Sequence, residues 1–315
     1  MKIKSFILAK DNDNLFCQDS IAINIPICRF AVTDGATHTN MSHFFSHPLS
    51  RILVENGCPD DDSLFKQLVL QPASDCWNKS MDAYESGLVG RKRIQAQEKR
   101  KEWHPGASTM LEVEINNEIE EATYHILGDS TLFVITSDGC VQGFSSCVET
   151  NSEGQSYCVY SSILSNYLMA NGRVYGNIVS GSVSLPRQGY IMLMTDGIAE
   201  WFQEAAQIDH DCAHRLWSID ESGFKALAEQ ARNMGKMDDD LALLMIYFDG
   251  SPFPELLFDA DNQTPIYITP MPTLPAIPLK PILSWMTPNN KPSIDRPERN
   301  PFLPLLILKK ILKKK

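Results

Sequence analysis

No run of eighteen consecutive apolar residues occurs in these 315 residues, so the sequence predicts no membrane-spanning helix. Cys-x-x-Cys is also missing, although there are eight cysteines: Cys17, Cys28, Cys58, Cys76, Cys140, Cys147, Cys158 and Cys212. A secretory signal is lacking, because Met1 to Ala9 meets Lys10 and Asp11 before an apolar core can form. Scattered thiols without an export signal suit a reducing cytosol, and a cytoplasmic location is expected. No internal repeat stands out. Basic residues are in deficit: 28 Lys and Arg face 39 Asp and Glu, a formal net charge of −11. The last fifteen residues hold five lysines and no acid, so residues 1–300 carry −16. So acidic a body argues against nucleic-acid binding and against a general attraction to phosphate groups; any phosphate affinity must come from local metal charge.

Against these absences stands an excess of aspartates at the ends of apolar runs. Tyr190 to Met194 reads as a buried strand; Thr195 and Asp196 follow, Gly197 permits a sharp turn, and Ile198 to Phe202 begins a helix. The pattern recurs. Phe30 to Thr33 runs into Asp34-Gly35, Tyr124 to Leu127 runs into Gly128-Asp129-Ser130, and Asp238-Asp239-Asp240 opens the apolar run Leu241 to Phe248. Brought together as bare charges, these carboxylates would raise each other's pKa. A hard divalent cation removes that conflict, since Mg²⁺ and Mn²⁺ take carboxylate oxygens, a backbone carbonyl and water.

Phe30 to Ala36, Gly106-Ala107-Ser108-Thr109, Gly128-Asp129-Ser130, Thr195-Asp196-Gly197 and Asp239-Asp240-Leu241-Ala242 together resemble the ordered motifs of the PPM family, the protein phosphatase 2C-like Ser/Thr phosphatases. One Asp-Gly means nothing; five motifs in the family's order over residues 1–249 are specific. Cys17-Gln18-Asp19 and Asp34-Gly35-Ala36-Thr37 resemble a bacterial subgroup. The resemblance implies an α+β fold, a four-layer α-β-β-α sandwich of two antiparallel sheets flanked by helices. It implies a phosphoric monoester hydrolase acting on phosphoserine and phosphothreonine through a metal-activated water, with two or three Mn²⁺ or Mg²⁺ ions. Asp34 is expected to bridge two cations, with the Gly35 carbonyl on one and Asp196 and Asp239 on the second. Asp129 and Glu200 correspond to ligands of a weaker third ion, Glu200 lying one helical turn beyond Asp196. Implied partners are a phosphorylated protein, a Ser/Thr kinase or its target, and the chain is expected to be a monomer.

The first motif departs from the family's Arg-x-x-x-Glu-Asp. Here it reads Asn14-Leu15-Phe16-Cys17-Gln18-Asp19, so the phosphate-binding Arg is Asn14 and the acid that holds a metal water is Gln18. Asp19 remains to orient water, and Lys10 is the nearest cation for the phosphate. The family's eukaryotic general-acid His is Ala36; His38 nearby reads as a polar helix-end residue. Cys17 is either a reactive thiol or a structural one. His210 and His214 are spaced like a zinc pair but lack a following His-Glu-x-x-His pattern, and read as a surface helix.

Elsewhere, Lys2–Leu8, Ser20–Ile25, Arg29–Thr33, Ala107–Ile115, Glu121–Leu127 and Thr131–Thr136 read as strands. Thr37–Asn56, one or two stretches within 60–103, Ser161–Met169 and Phe224–Met234 read as helices. Arg91-Lys92-Arg93 reads as a solvated face. Ser137-Asp138-Gly139 carries a type I′ hairpin signal, which makes Asp138 a turn residue. Thirteen of nineteen prolines fall between Pro252 and Pro304, so 250–300 reads as an extended linker with some locally docking apolar residues. Residues 301–315 form a short basic amphipathic tail suited to peripheral membrane contact.

Two other readings compete with the phosphatase. A weakly or non-catalytic PPM-like module binding a phosphorylated partner or kinase would account for Asn14 and Gln18. A structural protein tethered by its tail would need no metal. The acids concentrated at strand ends favour the enzyme.

Overall fold

The computed structural model describes residues 1–10, 16–37, 39, 41–102, 105–152, 156–160, 166–251 and 266–268. In chain order, β1 (Lys2–Leu8), β2 (Ser20–Asn24) and β3 (Arg29–Thr33) precede α1 (His43–Asn56). Next come α2 (Asp62–Phe65), a π-helical turn (Lys66–Leu70), α3 (Gln71–Gly87) and α4 (Arg91–Glu102). The strands β4 (Ala107–Ser108), β5 (Met110–Asn116), β6 (Glu121–Leu127), β7 (Thr131–Thr136) and β8 (Val141–Phe144) follow. Short strands β9 (Val148–Thr150), β10 (Ser156–Cys158), β11 (Tyr167–Met169) and β12 (Val174–Tyr175) lead to β13 (Val179–Ser184) and β14 (Gln188–Met194). The helices α5 (Asp196–Ala206), α6 (Cys212–Ser218) and α7 (Glu221–Asn233), then β15 (Leu241–Asp249) and β16 (Ile266–Ile268), complete the described chain.

Two antiparallel sheets form the sandwich, one in the order β1-β15-β14-β7-β8 and one in the order β13-β6-β5-β3-β2-β16. The alternation of strand side chains fixes which residues meet. Ile191 and Leu193 of β14, Leu244 and Ile246 of β15 and Leu132 and Val134 of β7 face Phe30, Val32, Leu111 and Ile126 of the other sheet. The intervening residues point outward to helices: Phe133 meets Phe202 of α5 edge-on at 4.9 Å, and Phe6 stacks on Phe224 of α7 at 4.6 Å. On the far face of the second sheet, Ala22 and Ala31 leave room for Phe45, Leu49 and Leu53 of α1, backed by Trp77 and Met81 of α3. Full burial of each such large side chain contributes roughly 1.5–3 kcal/mol, so a one-residue slip of register would be prohibitive. The arrangement is the expected α-β-β-α sandwich.

Local departures from the sequence reading have physical causes. Residues before His43 do not join α1, because the Thr39 and Ser42 hydroxyls both donate to the Ala36 carbonyl, at 2.9 and 2.6 Å, and hold a turn instead. Tyr167–Met169 is a strand rather than the end of a helix; β4 and β12 supply ladder partners on either side, and pairing overrides local propensity. The part of that predicted helix at 161–165 lies outside the described residues. Around Asp138 only Gly139 has positive φ, 80°. A type I′ turn needs two such residues, so the connection is a three-residue loop with glycine in the left-handed position. Asp138 caps that loop, accepting from the Thr136 hydroxyl and, at 3.4 Å, from the Cys140 amide, as its turn role requires. The helix expected around His210 and His214 begins at Cys212. His210 therefore precedes it, and His214 Nδ1 pairs with the Tyr190 hydroxyl at 2.9 Å. Within the segment read as a linker, Ile266–Ile268 pairs with β2 as an edge strand, Tyr267 opposite Ala22. Asn14, His38 and the basic tail lie outside the described residues.

Candidate metal centre

Register brings the acids to one end of the sandwich. Ser20 pairs with Thr33, so Asp19 before β2 and Asp34 after β3 leave the sheet side by side. Met194 pairs with Leu243 and also with Thr131, so the end of β14, the start of β15 and the start of β7 share that edge. Leu127 pairs with Met110, and Gly128-Asp129-Ser130 then crosses from one sheet to the other at the same end. Five aspartates thus converge from five separate connections.

Asp34, Asp129 and Asp196 each offer one carboxylate oxygen, all within 4.8 Å of one another. Asp239 stands outside this tight trio, yet its charge acts on Asp19, Asp34 and Asp196. Burial, then the charges of Asp19, Asp196, Asp129 and Asp239, raises the Asp34 pKa well above the usual carboxylate range. Burial and Asp240 do the same to Asp19, against a lowering hydrogen bond from Thr195. Asp196 rises to about 6, through burial and Asp239, and it hydrogen-bonds Asp34. Burial is also the largest cause of the rise at Asp239, where Lys10 pulls in the opposite direction. Clustered, desolvated carboxylates are a strained arrangement without a counter-charge. The donors are carboxylate oxygens; neither thiol nor imidazole belongs to the trio, so the set fits a hard, oxygen-seeking divalent cation.

The surroundings hold these groups at fixed positions. The Thr109 hydroxyl accepts from the Asp34 amide at 3.2 Å, and the Thr109 amide donates to the Asp34 carbonyl at 2.8 Å. Gly35 donates to the Gln18 carbonyl at 3.2 Å, and a Cβ there would lie 2.9 Å from Ser42 Cβ and 3.0 Å from the Gln18 carbonyl oxygen. Asp196 occupies the first turn of α5, where the helix dipole favours an anion. A Cβ on Gly197 would meet the Asp240 carbonyl oxygen at 2.6 Å, so only glycine lets α5 start this close to β15.

Other expected site residues surround the trio. Glu200 is exposed one turn further along α5, and its charge reaches Asp196. Lys10 Nζ lies 3.8 Å from Asp238, on the Asp239 side of the cluster. Cys17 is fully buried, and burial followed by the charge of Asp19 pushes its pKa up, so it is an unreactive structural thiol. Ala36 is buried, and Arg91, Lys92 and Arg93 are exposed on α4.

Asp240, to which the sequence reading assigned no task, is built into the surroundings of the cluster. Its carboxylate accepts from the Lys10 amide at 2.6 Å and from the Gln18 amide at 2.7 Å, tying both flanks of the first motif to the start of β15. Consecutive residues of an extended chain point to opposite sides. That alternation was the available signal that Asp239 and Asp240 have different tasks.

The sequence profile of the family described as protein phosphatase 2C matches residues 9–233. This chain belongs to that family. Solved structures of similar fold include the serine/threonine phosphatase Stp1 from Staphylococcus aureus, 13% identical, spanning 79% of this chain and 96% of that one with a TM-score of 0.48. Others are the S. agalactiae serine/threonine phosphatase, at 12%, 79%, 100% and 0.49, and the photosystem II phosphatase PBCP, at 16%, 79%, 99% and 0.46. Curated protein sequences yield no match.

Proposed function

We propose that this chain is a metal-dependent protein serine/threonine phosphatase that hydrolyses phosphoserine and phosphothreonine in a protein substrate. The observation that carries this reading is the trio Asp34, Asp129 and Asp196, with oxygens within 4.8 Å and the Asp34 and Asp196 pKa values pushed up by burial and mutual charge. Asp34, the Gly35 carbonyl, Asp196 and Asp239 would hold two Mn²⁺ or Mg²⁺ ions, and Asp129 with Glu200 a weaker third. When bound, such ions lower the pKa of water to make a nucleophile and neutralise charge on the phosphoryl oxygens. The protein's own task is positioning. Thr195 and Asp240 fix the first-motif segment, so Asp19 can orient water at the centre. Lys10 supplies a cation beside Asp238 and Asp239 for a phosphate oxygen.

Family membership supports a phosphorylated protein as the substrate, and we infer a Ser/Thr kinase or its target as that protein and a monomer as the acting form. Gln18 in the first motif keeps a second reading in play, a weakly catalytic module that binds a phosphorylated partner. Hydrolysis of a phosphothreonine peptide with and without Mn²⁺ separates the two. Metal-dependent release of phosphate is expected; binding without release would favour the module.

A further inference from the structure

Beside the metal centre lies a cavity of about 260 Å³ whose walls include Phe16, Met41, His43, Met81 and Tyr84. Gln18 also lines it, and its Oε1 atom is buried with no hydrogen-bond partner among the described residues. An unpaired buried acceptor costs free energy until a donor arrives. Gln18 connects the cavity lining to the candidate centre along the chain. Gln18 immediately precedes Asp19, takes the Gly35 amide on its carbonyl and gives its own amide to Asp240.

We propose that this cavity is a specificity subsite that takes an aromatic side chain flanking the phosphorylated residue, while the substrate's backbone N–H donates to Gln18 Oε1. The inference rests on the phosphatase reading for what occupies the neighbouring centre. At about 260 Å³ the cavity has room for a single large side chain. The lining selects the side chain. Phe16, 57% exposed at the mouth, stands edge-on to His43 at 5.9 Å, and Tyr84 faces Phe44 at 6.3 Å, which leaves aromatic walls able to receive another ring. Met41 and Met81 add adaptable thioethers that favour ring contacts. His43 is neutral at physiological pH, since burial and then His47 lower its pKa to about 4, while Lys99 adds a cation to the lining. An extended peptide advances roughly 3.3–3.6 Å per residue, so the step from Asp19 to the adjoining Gln18 side is covered within a few positions of the phosphorylated one.

The test uses the full chain with Mn²⁺ and peptides carrying a non-hydrolysable phosphonate analogue of phosphoserine. One peptide has alanine flanks; six others place phenylalanine at each of three positions on either side. Fluorescence anisotropy is expected to show one phenylalanine position binding about tenfold tighter than the alanine peptide. Ala96→Trp, which fills the cavity from α4, and Tyr84→Ala, which removes a wall, should each erase that gain and leave affinity for the alanine peptide unchanged. Hydrolysis of para-nitrophenyl phosphate, which has no flanks, should be unaffected in both variants. If Ala96→Trp lowers the melting temperature sharply, Tyr84→Ala alone decides. A gain below twofold at every position, or a gain that survives Tyr84→Ala, overturns the subsite. Turnover of para-nitrophenyl phosphate without any flank preference overturns the subsite and spares the phosphatase reading. A flank preference without any turnover does the reverse.

Discussion

The Thr195 hydroxyl donates to Asp19 Oδ2 at 2.7 Å, joining two residues that lie 176 positions apart. The same oxygen accepts from the Ala242 amide at 2.9 Å. Thr195 is the N-cap residue of α5, yet its side chain makes no capping bond. The hydroxyl instead links the first-motif carboxylate to the paired ends of β14 and β15. Thr195→Val keeps the shape and deletes the hydroxyl. It leaves a fully buried carboxylate and a buried amide each short of a partner, which should cost about 1–3 kcal/mol per group in urea unfolding. Mn²⁺-dependent turnover should fall as well, because Asp19 loses its fixed orientation; an unchanged rate would show that Asp19 is not a working part of the centre.

Asp196→Asn and Asp239→Asn should each abolish Mn²⁺-dependent turnover while leaving the circular dichroism spectrum intact. Either variant turning over at the parent rate would contradict its role as a ligand.

Metal-free stability should depend on pH in a direction set by the raised carboxylates. The folded chain holds the Asp196 proton up to about pH 6, whereas the unfolded chain releases it near 3.8. Between those values the native state binds more protons, so stability falls as pH rises and is lowest above 6. Asp34→Asn should flatten this slope and raise the metal-free melting temperature, by removing one of the clustered charges. Mn²⁺ at a hundred times its dissociation constant should add about 2.7 kcal/mol to the parent above pH 6. It should add little to the variant. A metal-free melting curve that rises between pH 4 and 6 would contradict the assignment of raised pKa values.

Asp129→Ala should reduce turnover more than it reduces tight Mn²⁺ binding measured by calorimetry, as expected for a ligand of a weaker third ion. Because its oxygen lies within the trio, loss of the tight sites is the informative opposite result and would place Asp129 among their ligands.

The C-terminal segment carries its own proposal. Leu305, Leu308 and Leu312 are spaced for one helical face, with Lys309, Lys310, Lys313 and Lys314 largely on another. Each lysine near an anionic lipid surface contributes about 1 kcal/mol, enough in sum to offset repulsion by an acidic body. The full chain should co-sediment with phosphatidylserine vesicles at low salt and release at high salt, while a chain ending at Asn300 stays in solution. Equal sedimentation of the two would exclude an anchor. Among the described residues no helix is long and apolar enough to cross a membrane.

What the sequence determined by itself was set by local chemistry. Tyr190 to Met194 has to be a buried strand, Gly197 has to turn, and an aspartate after each apolar run has to sit where a strand meets a loop. Periodicity located most of the strands and helices to within a few residues, and the order of the motifs named the family before any coordinate was known. Tertiary structure decided what depends on neighbours distant in sequence. Strand pairing at Ser20–Thr33 and Met194–Leu243 determined that the acids meet at one edge. Ladder partners made Tyr167–Met169 a strand, and two hydroxyls on the Ala36 carbonyl delayed α1 until His43. Asp239 and Asp240 are chemically identical neighbours, and only packing distinguishes them: the charge of one acts on Asp34 and Asp196, while the other takes the Lys10 and Gln18 amides. A side chain's chemistry is written in its residue type, but its partner is chosen by the register and packing of chain far away in sequence, as Lys10 and Gln18 are from Asp240.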